Sequence, residues 1–276
     1  MSDASSQQGQ FEPVHAAHAI EQVLFNLQFD QPLDDAIFSE ARSAAEQFKS
    51  ELPGQVETQG LTLMLGSSAA NSPVQNAGFV FRRVGPDGTI ENELRVDRTS
   101  VTFKTTLYSR WDAVWSQARK YFNAIVPIYA KAARISGLTI HYVDKFVWTG
   151  NLNECRPSHL LRAQSKYLCP HVYEAEDLWH SHTGAFMRID DNTKRLLNVN
   201  VDYLDESQLG AIRRIVAITT VLTDQLNQPG YEPYAMKGND IISPVDDHMQ
   251  GLHVLGKEVL GSIINDAMCR RIALIG

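Results

Sequence analysis

The cationic side chains of residues 78–107 are the first groups that could do chemistry. Arg82, Arg83, Arg95, Arg98 and Lys104 fall in this one stretch. Guanidinium groups grip carboxylates and phosphates bidentately, so the set could hold an anionic ligand or a nucleic-acid phosphate. Strand alternation places Arg83 on the face of Phe79 and Phe81, and Arg82 on the other. The competing reading is a solvated sheet face paired with Glu91, Glu93 and Asp97, because strand charges usually sit on the wet side.

Cys169-Pro-His171 followed by His180-Ser-His182 is the second candidate. Histidines at i and i+2 of a strand project from the same face, so His180 and His182 could share a zinc ion. Cys169 or His171 could complete the shell. The spacing matches no recognised zinc motif, and polar or partly buried histidine is the alternative. No cofactor is otherwise implied.

A third group is His141, Asp144 and Lys145, a histidine near a carboxylate. In one straight strand, His141 and Lys145 share a face and Asp144 takes the other, so surface polar positions are the favoured reading. The fourth is the closing helix. Met249, Leu252, Gly256, Leu260 and Ile263 form a continuous apolar stripe that reads as core, or as a homodimer seam in which Gly256 and Gly261 permit close approach. No Walker loop, GxGxxG, GxSxG elbow or HExxH occurs, which removes several common enzyme classes.

The elements that must position these groups follow from periodicity. Val23, Phe25, Leu27 and Phe29 alternate as a strand, and Ile37, Phe38, Ala41, Ala45, Phe48 and Leu52 fall at helical spacing up to Pro53-Gly54. Leu61, Leu63 and Leu65 suggest a further strand, and residues 66–76 a loop. Three strands then follow over 78–107, with a turn at Gly85-Pro86-Asp87-Gly88. Ser109 and Asp112 read as a capping box for a helix along Trp111, Trp115, Ala118, Phe122, Ile125 and Tyr129. Pro127 should kink that helix and Gly137 should stop it.

The plan restarts with a strand over 138–148, and Ser158–Gln164 reads as a short helix. A hairpin about Asp191-Asn192 follows, joining 184–190 to 195–204, and then a β-branched strand over 212–222. Ser243-Pro244-Val245-Asp246 reads as a second capping box. The fold class expected is α+β, with two similar strand-helix-meander-helix halves making antiparallel sheet and carrying their helices on one face. Residues 1–14 read as a disordered tail, 15–136 as the first half and 137–276 as the second.

Composition bounds the rest. The chain has 276 residues, 43% hydrophobic and 21% charged, the proportions of an ordinary globular protein with a full core. A net charge of −7 argues against a general nucleic-acid binder, whose affinity rests on neutralising phosphates. Three cysteines with no CxxC, and a Ser/Gln-rich opening without an apolar run, point to a reducing cytoplasm. No apolar run is long enough to span a bilayer, so no membrane partner is expected.

The stretches 19–29, 94–103, 111–125 and 138–146, with the closing 253–267, resemble a sporadically distributed family of bacterial proteins of about this length. The resemblance covers most of the chain and is carried by apolar patterns; it departs at 66–76 and 227–242. It brings no assigned activity, and the family's patchy distribution implies an accessory or defence-linked role. The leading expectation is a non-enzymatic binding protein acting with a partner protein or as a homodimer. The alternatives are a metal- or nucleotide-dependent hydrolase and a single-stranded nucleic-acid binder, the latter because sheets with exposed aromatics and arginine can stack bases.

Overall fold

The computed structural model describes residues 9–60, 75–208, 210–234 and 242–274. Mixed helices and a large antiparallel sheet make the chain α+β. Two compact units divide it: Met1–Val23, Ile140–Asp224 and His248–Gly276 form one, and Leu24–Thr139 with Gln225–Asp247 the other. Each unit joins segments from both sides of the 136/137 boundary between the expected halves.

In the unit of residues 24–139, the strands are β2 (Ile20–Phe29), β3 (Gly54–Gly60), β4 (Gln75–Val84), β5 (Ile90–Asp97) and β6 (Ser100–Thr105). Their hydrogen-bonded order is β3-β4-β5-β6-β2. Phe25, Leu27, Phe81, Leu94, Val96, Val101 and Phe103 are fully buried and give the sheet one apolar face. Helix α1 (Asp35–Glu46) starts where Asp34 accepts from the Ile37 amide, the usual way an orphan N-terminal donor is satisfied. Helix α2 (Trp111–Tyr129) follows β6. Both helices lie on that apolar face: Phe38 stacks on Phe79 at 4.9 Å, and Tyr121 meets Phe48 at 4.8 Å and Phe103 at 5.0 Å. Gly88 at φ 85° closes the β4–β5 turn, a conformation open to glycine.

Several local expectations change here. Arg110, with no side-chain cap, takes the N-cap of α2, so Ser109 and Asp112 do not form the capping box. Gly137 lies inside a strand and does not end α2, which stops at Tyr129; Pro127 falls in its last turn. The strand expected at 61–65 and most of the loop expected at 66–76 lie outside the described residues. Gln75 and Asn76 already belong to β4, and β3 begins at Gly54, directly after the helix breaker.

In the other unit, the order is β7-β10-β9-β8, with β1 added against β7. These strands are β1 (Phe11–Pro13), β7 (Ile135–Trp148), β8 (Trp179–Arg188), β9 (Thr193–Gln208) and β10 (Ala211–Leu226). The tail expected through residue 14 is thus ordered from Phe11, because Phe11 is 2% exposed and sets its ring edge-on to Trp148. Helix α3 (Ile242–Ile263) covers the face of Ile140, Tyr142 and Leu222, and α4 (Asp266–Arg271) is capped by Asn265. The 3-10 turn Pro157–His159 stands where a short helix over 158–164 was expected, and two further 3-10 turns, Leu152–Glu154 and Pro170–Tyr173, flank that stretch.

Ser243 lies inside α3 as its second residue. Asp246 accepts from the Trp115 indole at 3.0 Å and pairs with Arg119 at 2.8 Å, which ties the first turn of α3 to α2.

The apolar stripe of α3 packs as core within the chain. Met249, Leu252 and Ile263 are 0% exposed and Leu260 is 6% exposed within a single chain. Gly256 faces inward, where an added Cβ would meet Tyr142 Cε2 at 3.2 Å and Leu222 Cδ1 at 3.5 Å. Close approach of helix to sheet requires the glycine. Gly256→Leu is expected to destabilise the fold by about 1–3 kcal/mol through overpacking. Thermal denaturation should show that loss while the native mass stays unchanged; an altered oligomeric state would favour the homodimer seam.

Candidate functional site

The five cations of the β4–β6 meander do not all converge: Arg83 and Arg98 separate from Arg82, Arg95 and Lys104. Cross-strand register sets Arg82 against Glu93 and Glu93 against Lys104 on one face, and Val80, Arg95 and Thr102 in the neighbouring row. Glu93 lies 4.0 Å from the Lys104 ammonium, and Glu91 lies 3.2 Å from Arg83. Arg98 turns away altogether. Its guanidinium donates to the Leu33 carbonyl at 2.8 Å and Asp35 at 2.5 Å, and lies 4.7 Å above the Phe38 ring. Arg98 therefore braces the start of α1. Arg83, Arg98 and Lys104 each face an acidic partner, while the register sets Arg82, Arg95 and Lys104 in adjacent rows of one sheet face with Glu93 between Arg82 and Lys104.

His141, Asp144 and Lys145 separate as their parity demands, but Asp144 is no surface residue. It is 3% exposed on the apolar face of β7, and its Oδ1 has no hydrogen-bond partner among the described residues. Burial pushes its carboxyl up to about 7. On the opposite face the Lys145 ammonium lies 2.6 Å from Glu206 and 3.0 Å from Glu21. Burial works against that charge, and the hydrogen bonds it donates to Glu206 and Glu21 outweigh burial, so its pKa is raised. Burial alone lowers the His141 imidazole.

A buried ionic network was missed at sequence level. Asp224, at 0% exposure, accepts from Arg195 Nε at 2.5 Å and Nη2 at 2.8 Å, and its Oδ2 lies 2.7 Å from His248 Nδ1. Burial would raise this carboxyl, but the hydrogen bonds from Arg195 and His248 overcome it and hold the pKa below the ordinary aspartate value. The available signal was parity: Asp224 sits in phase with Ile218, Thr220 and Leu222, so an acid occupies a core position of β10. Nearby on α3, His253 Nδ1 lies 3.0 Å from the Tyr142 hydroxyl.

The histidine set divides between the two faces of β8. His180 and His182 are exposed on one face, while Ser181 is buried on the other. Cys169 lies on the Ser181 side, its amide donating to Ser181 Oγ at 3.4 Å, and His171 is exposed in the adjoining 3-10 turn. Cys169 and His171 therefore do not complete a shell with His180 and His182. Their partners are instead on β9. Register sets His180 against Asp202 and His182 against Asn200. His180 Nδ1 lies 2.9 Å from Asp202 Oδ1, and Asn200 Nδ2 donates to Asp202 Oδ2 at 2.7 Å. Among the described residues, no group of three or more His, Cys, Asp or Glu could hold a metal ion.

One open cavity of about 420 Å3 flanks α3, lined by Arg162, Val254, Lys257, Glu258, Cys269 and Leu274. Arg162 is committed there to the Gly261 carbonyl at 2.7 Å and Asp266 at 2.5 Å. Its cation is already paired, so the cavity offers little net charge to a ligand. No helix of the described residues is long and apolar enough to cross a membrane. No protein-family model matches the sequence, and no match is found among curated proteins.

Two buried carboxylates give opposite tests. Asp224→Ala strands Arg195 and His248 in the core and should cost about 3–5 kcal/mol in denaturant unfolding. Asp144 behaves in the reverse sense. Its folded carboxyl holds its proton up to about 7, whereas the unfolded chain releases it near 4, so the folded state binds the extra proton between those limits and stability falls as pH rises through them. Asp144→Asn should raise the melting temperature at pH 8 and lose that advantage near pH 4. An unchanged pH profile would show that Asp144 is charged in the fold.

Proposed function

We propose that this chain is a non-enzymatic binding protein that engages an extended segment of a partner protein along β8. The observation that carries this reading is the unpaired side of that strand. Among the described residues β8 is bonded to β9 alone. The Ile189 amide donates to the Thr193 carbonyl at 3.0 Å, and antiparallel pairing then alternates. The backbone groups of His180, His182, Gly184, Phe186 and Arg188 therefore point away from β9. Phe186 stands 59% exposed among them, with Ile189 45% exposed beside it. A long, exposed edge with an apolar side chain is what strand addition uses: main-chain bonds supply affinity and alternate side chains supply selectivity.

A duplicated plan is part of the same reading. In β2-β6-β5-β4 and in β7-β10-β9-β8 the opening strand pairs with the last strand of the meander that follows it. The second copy replaces the helix after its first strand with 3-10 turns, one of which adjoins β8. A cytoplasmic, accessory role beside a bacterial partner remains the context that fits the sequence resemblance.

Phe186→Pro tests the reading. Proline removes an outward amide and leaves every bond to β9 intact. Recovered from its own host, the wild-type chain should carry a second polypeptide that Phe186→Pro loses by at least about tenfold, roughly the effect of a 1.4 kcal/mol difference. Gln28→Pro, on β2, is not a matched control because it breaks a paired strand; Phe186→Leu is, and should retain the partner. Capture that survives Phe186→Pro, or no capture by the wild type, overturns the proposal.

A further inference from the structure

We propose that His180 and His182 form a two-histidine site for a divalent transition-metal ion such as zinc, with Asp202 and Asn200 acting behind them as orienting groups. Both imidazoles leave the same face of β8, the geometry that lets neighbouring strand histidines reach one ion. Imidazole nitrogen suits zinc, copper and nickel.

What distinguishes this pair from two surface histidines is the shell at its back. A metal-bound histidine almost always gives its second ring nitrogen to a carboxylate, carbonyl or water, which fixes the tautomer and aims the ligating lone pair. His180 has that arrangement. Asp202 Oδ1 takes its Nδ1 at 2.9 Å, and Asp202 is itself held by Asn200 Nδ2 at 2.7 Å. This leaves Nε2 of His180, on a side chain 62% exposed, as the ligating atom.

Asn200 supplies the second orienting acceptor. Having given Nδ2 to Asp202, it retains Oδ1, which is buried and, among the described residues, without a hydrogen-bond partner. Asn200 stands directly opposite His182 in the register. Both 180/202 and 182/200 alternate with the bonded pair continued from Ile189 and Thr193, so they are the pairs whose side chains come closest. A ring N–H of His182 turned to that oxygen would satisfy the orphan and free the other nitrogen for the ion. Asp202 is engaged behind His180 and acts as an orienting group, with water filling the remaining positions on the ion.

The test is calorimetric titration of the metal-stripped, full-length chain with Zn(II) alone. One ion should bind per chain. His180→Ala and His182→Ala should each abolish that binding, and Asp202→Asn should weaken it about tenfold. The exposed positions of both histidines make these variants safe for folding, and unchanged circular dichroism checks this. His15→Ala is the control, since His15 and His18 make a second close histidine pair, with ring centroids 4.6 Å apart. No binding, binding untouched by His182→Ala, or binding lost with His15→Ala would each overturn the proposal.

Discussion

The ionised Asp224 is the constraint on which the sheet-and-helix core of residues 140–224 and 248–276 depends. A carboxylate at 0% exposure is tolerable only while its charge is matched and its lone pairs are taken. Arg195 supplies a bidentate fork from the neighbouring strand, and His248 comes from the helix above. One side chain thereby fixes the β9–β10 register and the rotation of α3 about its axis. That rotation brings Gly256 down onto Tyr142 and sets His253 against the Tyr142 hydroxyl. Apolar burial drives α3 onto the sheet, but it is non-directional and would accept several rotations; the ionic contact selects one.

Asp144 shares the apolar side of its unit and shows what the same chemistry does without partners. Burial raises its carboxyl, whereas Arg195 and His248 hold that of Asp224 down despite burial. The two carry opposite pH signs. Asp224 contributes stability above the ordinary aspartate range that is lost as pH falls through its lowered pKa. Asp144 withdraws stability as pH rises toward neutrality. The core is therefore balanced between two acids, and only one has an evident structural use.

Much of the fold was legible because strands and helices advertise their buried faces. The alternation of Val23 to Phe29, the hairpin about Asp191 and the β-branched run of β10 each gave the right element, and the apolar stripe of α2 gave the right helix. The errors fell where a local signal competed with a distant partner. Ser109 is a good cap in isolation, yet helix starts are set by where the chain leaves the sheet and by the grip of Trp115 and Arg119 on Asp246. Gly137 is a plausible helix stop, yet it lies in a strand. The site was less legible for the same reason. Parity separated Arg82 from Arg83 and Asp144 from His141, but it could not show that Glu93 stands between Arg82 and Lys104, or that Asp202 stands behind His180.

The outer face of β8 concentrates what remains unused by folding. In an antiparallel edge strand the residues whose amides point outward alternate with those bonded inward. On β8 the outward set is also the set that carries His180, His182 and Phe186. A segment that adds to this edge would set its own side chains beside the two imidazoles, where they could replace water on a bound ion. Ion binding and strand addition would then act on the same residues, and any effect of one on the affinity of the other must be returned in equal measure. A carboxylate or imidazole in the added strand would make the coupling positive, and a basic side chain would make it negative. Metal at this face would then add a selection by ligand chemistry to the selection by shape that Phe186 and the backbone bonds supply.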